Sequence, residues 1–236
     1  MNAVLAKKEL HSHIKRGKAE ALSRFFKTGR GEYGEGDVFL GVMVPETRTV
    51  AKSFKKLSHQ EIKKLLNSKY HEERLLGILI LVENFVVGTE SEKEKIYKFY
   101  LKNIKRINNW DLVDLSAPKI VGGYLYKKDK KILYKFAKSK NLWERRVAIL
   151  ATFHFIYKNN FTETFKIAET LLNDGHDLIH KAVGWMLREV GKRSLSAEED
   201  FLAKNYLKMP RTMLRYAIER FPEHKRKKYM FNKKST

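Results

Sequence analysis

The chain repeats one short pattern, in Arg74-Leu-Leu-Gly-Ile-Leu79, Arg145-Arg-Val-Ala-Ile-Leu150 and Lys181-Ala-Val-Gly-Trp-Met186. Each copy has a basic residue, two further residues, a small residue and then two large apolar residues. The small residues of the last two copies are 36 positions apart, and those of the first two are 71 apart, almost twice that interval. A repeat of about 36 residues therefore predicts a missing copy centred on Val113.

Helical periodicity dominates the rest of the sequence, and the alternation typical of strands is nearly absent. A small residue at a fixed place lets neighbouring helices approach closely, which is how two-helix repeats stack. We therefore predict an all-α fold over residues 1–223, a single domain in which antiparallel helix pairs of the HEAT-like or armadillo type form a curved solenoid with a basic concave groove. An irregular helical bundle, in which the repeated pattern arises by chance, is the alternative.

Several helix ends have a chemical signature. Ser58, followed three residues later by Glu61, predicts a capping box at the start of one helix. Thr162 and Ser196 are predicted N-caps, since their hydroxyl groups accept hydrogen bonds from backbone N–H groups. Pro118 predicts the end of one helix and suits the first turn of the next.

The formal net charge of +22 points to an anionic partner. Residues 224–236 form a predicted basic C-terminal tail with six Lys and Arg side chains and no acidic ones, yet most of the excess charge lies in the folded body. Nucleic acid is the leading partner, because neutralising phosphates releases counterions and drives binding. An anionic membrane surface comes second, and a charge that serves only solubility is the third possibility.

The composition also excludes several classes of protein. There are no cysteines, which excludes disulfides, iron–sulfur clusters and cysteine-ligated zinc and fits a reducing cytosol. The N-terminus has no apolar run long enough for a signal peptide, and the most apolar segment, residues 75–82, is too short to span a bilayer. His176 and His180 lack a third metal ligand. We expect a cytoplasmic, nucleoid-associated protein that needs no metal and no cofactor.

The segment Asn108-Asn-Trp-Asp-Leu-Val-Asp114 contains the first candidate site. Trp110 and Asp114 are four residues apart, which places them on one helix face, one turn apart. In the repeat register Trp185 aligns with Asp114, and Lys181, Trp185 and Arg188 share one helical stripe that suits contact with phosphate and with a base or sugar. The alternatives are a surface carboxylate, tryptophans packed in the core and solvated cations.

These motifs resemble those of the AlkD-type DNA alkylation repair glycosylases, which are built from HEAT-like repeats. The resemblance covers nearly the whole chain and is carried mainly by Trp110-Asp-Leu-Val-Asp114, Arg146-Val-Ala-Ile-Leu150 and Ala182-Val-Gly-Trp-Met-Leu-Arg-Glu189. It implies that Asp114 is the catalytic carboxylate, that Trp110 and Trp185 contact the deoxyribose of the lesion and that Arg146 holds a phosphate. The N-terminal aromatic residue of the family, often tyrosine, corresponds to Phe25, which lacks the hydroxyl group.

The implied function is monofunctional excision of N3- and N7-alkylated purines, such as 3-methyladenine and 7-methylguanine, from double-stranded DNA. Such a purine is already cationic and leaves as a neutral base, so one carboxylate that stabilises the oxocarbenium-like sugar suffices. We expect a monomer that binds DNA and not membranes. A non-catalytic helical-repeat module that binds damaged or branched DNA is the alternative, and a protein scaffold is a third reading.

Overall fold

The computed structural model describes residues 1–232, and within them it confirms the all-α prediction. Internal contacts divide the chain into two compact units, Met1–Ile120 and Val121–Thr236. The only extended pairing among the described residues is an isolated parallel bridge between Val38 and Tyr70. All regular structure within residues 1–232 is therefore helical, and the two units are described in turn.

The first unit is formed by seven α-helices and one short 3-10 turn within the described residues. The helices are α1 (Ala3–His11), α2 (Lys18–Phe25), α3 (Val44–Ser53), α4 (His59–Leu66), α5 (His71–Val87), α6 (Glu90–Lys102) and α7 (Trp110–Ala117), and the 3-10 turn spans Ile104–Arg106. The predicted missing repeat centred on Val113 falls in α7. Val113 is fully buried, as a small or apolar residue at a packing position should be.

Helix α5 lies at the centre of the first unit. Every residue from Leu75 to Val82 is buried, so this part of the helix is covered all round by its neighbours α3, α4 and α7. A Cβ atom at Gly77 would lie 3.1–3.2 Å from Leu65 and Leu66 of α4, which is a tight contact. The prediction that this small residue lets helices approach closely is therefore confirmed.

The first turn of α5 is buried although it is rich in charged side chains. Buried charges cost free energy unless they are paired and hydrogen-bonded. The Glu72 carboxylate accepts hydrogen bonds from the backbone N–H groups of residues 40–42 at 2.8–3.2 Å. Glu73 pairs with Lys7 at 2.6 Å and with His11 at 2.8 Å. These carboxylates therefore tie the start of α5 to α1 and to the loop before α3.

The second unit contains eight α-helices within the described residues. Helix α7 ends at Ala117, and the π-helical turn Pro118–Gly122 follows it directly and includes the boundary between Ile120 and Val121; Pro118 itself has helical backbone angles. The helices are α8 (Gly123–Leu125), α9 (Lys131–Ala137), α10 (Leu142–Tyr157), α11 (Thr162–Thr170), α12 (Asp177–Gly191), α13 (Leu195–Asn205), α14 (Arg211–Ala217) and α15 (Glu223–Asn232), with a 3-10 turn at Ile218–Arg220.

Two helices of the second unit, α12 and α14, pack unusually closely. A Cβ atom at Gly184 would lie 2.4 Å from the carbonyl oxygen of Met213 and 2.5 Å from the Cβ atom of Tyr216, closer than real Cβ atoms approach. Only glycine fits at this point of α12. The pattern that predicted a small residue at position 184 therefore reflects a helix–helix contact.

Arg74 and Arg145 show that the sequence repeat has a local structural counterpart. Each guanidinium group donates from Nη1 to two backbone carbonyls, which precede the arginine by five and six residues. The acceptors are Ser68 and Lys69 for Arg74, at 3.2 Å, and Ser139 and Lys140 for Arg145, at 3.0 Å. Each arginine also pairs with a carboxylate, Asp37 at 2.5 Å and Asp174 at 2.6 Å respectively. In these two copies the basic residue of the pattern thus holds the connection before its own helix.

The predicted helix caps are only partly correct. Ser58 caps α4 by accepting from the N–H of Glu61, but the Glu61 carboxylate accepts from the N–H of Ala3 at 2.7 Å, so the box is half formed. Thr162 is already the first residue of α11. Ser194, two residues before the predicted Ser196, caps α13. Two serines in the same turn offer the same chemistry, and the backbone path selects between them.

The predicted C-terminal tail begins inside α15. Its described part packs on the second unit through Tyr229, whose ring contacts those of Tyr206 and Phe221 edge-on at 5.3 and 5.9 Å. Lys225 pairs with Glu199 at 2.5 Å. The boundary at residue 224 stays a prediction, and residues 233–236 of the tail lie outside the described residues.

Candidate functional site

Helix α7 begins with the candidate tryptophan, and its first turn is fixed by buried polar groups. Asn109, which is fully buried, caps the helix: its Oδ1 accepts from the N–H of Trp110 at 2.8 Å. Asp111 accepts from the N–H of Leu112 through Oδ1, at 2.8 Å. An uncapped helix end leaves backbone donors unsatisfied, so these side chains define where α7 starts and where its side chains point.

The half-buried Trp110 ring lies against two phenylalanines. Phe26 stacks on the indole with ring centroids 4.9 Å apart and planes 9° apart. Phe25, the predicted N-terminal aromatic contact, meets the indole edge-on at 5.8 Å and is 65% exposed. The structure therefore brings Phe25 and Trp110 together, and the role of either ring in binding DNA stays a prediction. Phe26 covers one part of the indole, and the large exposed surface of Phe25 leaves an aromatic patch in contact with solvent.

Asp114 lies one turn after Trp110 on α7 and is half-buried. Its negative charge acts on Tyr100, which is fully buried and shares a 2.9 Å hydrogen bond with Ser116. Burial is the main cause that raises the pKa of Tyr100, and the Asp114 carboxylate raises it further. Asp114 is thus the carboxylate that borders the accessible part of α7, whereas Asp111 is buried.

A network centred on His71 supports α7 from inside, and the sequence reading did not find it. The His71 ring is buried between two carboxylates, with Nδ1 3.1 Å from Asp37 and Nε2 2.8 Å from Asp111. Asn109 also donates to Asp37, at 2.9 Å. The partners of His71 are 34 and 40 residues away along the chain. No local spacing signals such contacts.

Helix α12 presents the second group of candidates, and each of them makes a polar contact within the second unit. Trp185 is half-buried, donates from Nε1 to Glu189 at 3.1 Å and lies 5.8 Å from the Phe153 ring. Lys181 pairs with Asp177 at 2.7 Å, and Arg188 pairs with Glu219. Both cations of the predicted stripe therefore pair with carboxylates within the second unit, and their contact with DNA stays a prediction.

Arg146 is the most buried of the predicted DNA contacts. It is 5% exposed, and its Nη1 donates to the carbonyl oxygen of Leu178 at 2.6 Å. Leu178 lies in the first turn of α12, so Arg146 ties α10 to the start of that helix. The neighbouring Arg145 points to Asp174 instead, in keeping with the roughly 100° turn between successive helical residues.

Within residues 1–232, no group of three or more His, Asp or Glu side chains is arranged to hold a metal ion. No helix in the same range combines the length and the apolar character needed to cross a bilayer.

Comparison with protein families gives one match over most of the chain. A family model described as DNA alkylation repair enzyme matches residues 6–221. That range contains α7 with Trp110 and Asp114, and it also contains Arg146 and the stripe on α12. No curated protein matches the chain.

Solved structures with similar folds carry related descriptions. A protein described as a predicted DNA alkylation repair enzyme from Enterococcus faecalis is 21% identical, with a TM-score of 0.70 over 89% of this chain and 97% of that chain. A second, AlkD2 from Streptococcus mutans, is 20% identical, with a TM-score of 0.53 over 86% of this chain and 97% of its own. At these identities the likeness concerns the fold alone.

Proposed function

The chain belongs to the DNA alkylation repair enzyme family, and from that premise we propose that it is a monofunctional DNA glycosylase. It excises cationic N3- and N7-alkylated purines from duplex DNA by hydrolysis of the N-glycosidic bond, as the first step of base excision repair. The observation that carries the proposal is the pairing of Trp110 and Asp114, one turn apart on a helix whose first turn is held by buried hydrogen bonds.

The proposed mechanism follows from the charge of the substrate. An N7- or N3-alkylated purine is positively charged and leaves as a neutral base, so no general acid is required. As the bond breaks, positive charge moves to the deoxyribose, where the Asp114 carboxylate stabilises it and orients the attacking water. The indole of Trp110 supports the cationic sugar and lesion through its electron-rich face. Selectivity then arises from the charge and bond lability of the lesion.

We propose that the remaining candidates bind the DNA around the lesion. Trp185 contacts deoxyribose, and the Phe25 ring contacts the DNA without the hydrogen bond that a tyrosine hydroxyl would provide. Lys181 and Arg188 contact phosphates, which positions the duplex without reading its sequence. Arg146 is assigned a phosphate contact as well. A monomer bound to double-stranded DNA is the proposed working form.

The decisive experiment measures the release of 7-methylguanine from a methylated DNA duplex under single-turnover conditions. Asp114→Asn removes the negative charge while preserving shape, and we expect at least about a hundredfold loss of the excision rate. The Kd for the same duplex should change little, because the substitution removes no phosphate contact. Asp200→Asn is the matched control: Asp200 is exposed on α13, and its loss should leave excision unchanged.

Two outcomes contradict the proposal in different ways. If Asp114→Asn excises as fast as the wild type, the assignment of Asp114 is wrong. If the wild-type protein binds duplex DNA with strong salt dependence but releases no alkylated purine, the chain is a DNA-binding module without catalysis.

A further inference from the structure

The two nitrogens of the buried His71 ring both face carboxylates, and this geometry fixes its charge. The side chain is 1% exposed, with Nδ1 3.1 Å from Asp37 and Nε2 2.8 Å from Asp111. A neutral imidazole has one donor nitrogen and one acceptor nitrogen, and an acceptor facing a carboxylate would be repelled. Both nitrogens must therefore donate, which makes the ring an imidazolium cation.

The two carboxylates that bind His71 also connect it to both neighbours of Trp110. Asp111 is one of these neighbours, and Asp37 binds the other, Asn109. Asp111 follows Trp110 and bonds to His71 through one carboxylate oxygen and to the N–H of Leu112 through the other. Asn109 precedes Trp110, donates to Asp37 and caps α7. The indole of Trp110 is thus anchored from both neighbouring residues by groups that meet at one protonated ring.

The aromatic contacts lead to the same residue. Phe26, which stacks on the Trp110 indole, also lies 5.0 Å from the His71 ring, and Phe39 stacks on the His71 ring at 4.5 Å. These rings exclude water from the ion pairs. The packing that sets the tilt of Trp110 therefore depends on where His71 is held.

We propose that protonated His71 is a positioning residue for excision: it holds the first turn of α7 and thereby orients Trp110 and, one turn later, Asp114. The inference rests on the proposed function. Loss of the proton leaves the ring with a single donor, which cannot serve both carboxylates. The other carboxylate then faces an unprotonated nitrogen. Whether it is Asp111 of α7 or Asp37, which accepts from the α7 cap Asn109, the first turn of α7 loses one of its supports.

The charged groups that face this ring define the expected pH response. They are Asp37 from the loop before α3, Asp111 from α7 and, through Asp37, Arg74 from α5; Phe26 and Phe39 carry no charge. Burial lowers the pKa of His71, but Asp111 and Asp37 outweigh it and raise the pKa to about 9. The positioning should therefore persist at neutral pH and fail in alkaline solution.

The first test observes Trp110 in DNA-free protein. Its emission is obtained as the difference between the wild type and Trp110→Phe, recorded from pH 6 to pH 10 with circular dichroism to confirm folding. We expect a one-proton step near the His71 pKa, about 9. His71→Gln should abolish the step, and Asp111→Asn should move it at least about one pH unit lower. His59→Gln, on α4, is the control and should leave it unchanged.

The second test follows the excision of 7-methylguanine by the same proteins. His71→Gln should lower the single-turnover rate about tenfold to a hundredfold through misplaced groups and leave the Kd for duplex DNA within twofold. The wild-type rate should fall above pH 9, with the midpoint seen in emission, and the variant should lack that fall. A purely structural histidine would change both constants or neither. If His71→Gln does not fold, the same test is made by comparing the pH profiles of the wild type and Asp111→Asn, in which the midpoints of emission and excision should shift together.

The outcomes separate this inference from the proposed function. If the wild type shows the emission step but releases no base from any duplex, the proposed glycosylase activity is wrong. The proposal that His71 positions Trp110 is then still supported. An emission step that persists in His71→Gln, or a variant that excises with the wild-type rate and pH profile, overturns the role of His71.

Discussion

Raising the pH should destabilise the folded protein through His71, and the size of the effect follows from its two pKa values. The folded protein holds the proton with a pKa of about 9, against an ordinary value of 6.5. Because the folded pKa is raised, the stabilisation is fully present below pH 6.5 and is lost as the pH rises through 9. A difference of about 2.5 pKa units corresponds to about 3 kcal/mol of unfolding free energy.

The measurement compares the wild type with His71→Gln by urea unfolding from pH 6 to pH 10, followed by far-ultraviolet circular dichroism. Lysines, tyrosines and other carboxylates titrate alike in both proteins, so the difference in unfolding free energy isolates His71. We expect this difference to shrink by about 3 kcal/mol between pH 6.5 and pH 10. A difference that stays constant over that range would show that the buried His71 ring is neutral in the folded protein and not an imidazolium cation.

Two further predictions concern the second unit. Gly184→Ala forces a Cβ atom into the backbone of α14, at 2.4 Å from the Met213 carbonyl, and should lower the unfolding free energy by about 1–3 kcal/mol; Gly175→Ala, which meets no atom within 4 Å, is the control for calorimetry. Burial raises the pKa of Glu198 to about 8, so ionisation costs stability as the pH rises from 4.5 to 8. Glu198→Gln should therefore match the wild type in melting temperature at pH 4.5 and exceed it by on the order of 5–10 °C at pH 9; an equal gap at both pH values would contradict this.

The helical repeat could be predicted from the sequence where its contacts join residues that are close together along the chain. Arg74 and Arg145 contact carbonyl groups only five and six residues earlier, so the repeated motif shows directly in the sequence. Gly77 and Gly184 were found because the pattern repeats, although the residues that they approach, Leu66 and Met213, are 11 and 29 positions away. The role of Arg145 could not be predicted, because a pattern cannot tell a solvated cation from one that holds a loop.

The candidate site was predictable only in part, because much of its support comes from distant parts of the chain. Trp110 and Asp114 share a helix face by spacing alone, and Phe25 was placed by resemblance to the family. His71, by contrast, depends on Asp37 and Asp111, 34 and 40 residues away. Its neighbour Glu72 looks like an ordinary acidic residue at a helix start. Only the fold reveals that this turn is buried and must neutralise its charges internally.

The ion pairs on α12 bear on how the proposed DNA contacts would form. Lys181 with Asp177 and Arg188 with Glu219 are pairs in which at least one side chain is half exposed. Exposed pairs contribute little to stability, because water and salt screen them. A DNA phosphate can replace the carboxylate as the partner of each cation, and the released carboxylate is then solvated by water. This replacement therefore costs little free energy. Arg146 differs, since its side chain is only 5% exposed and its hydrogen bond to Leu178 is partly buried. Losing that bond would leave a carbonyl unsatisfied at the start of α12. DNA binding should therefore rearrange the surface of this helix and leave its anchor intact.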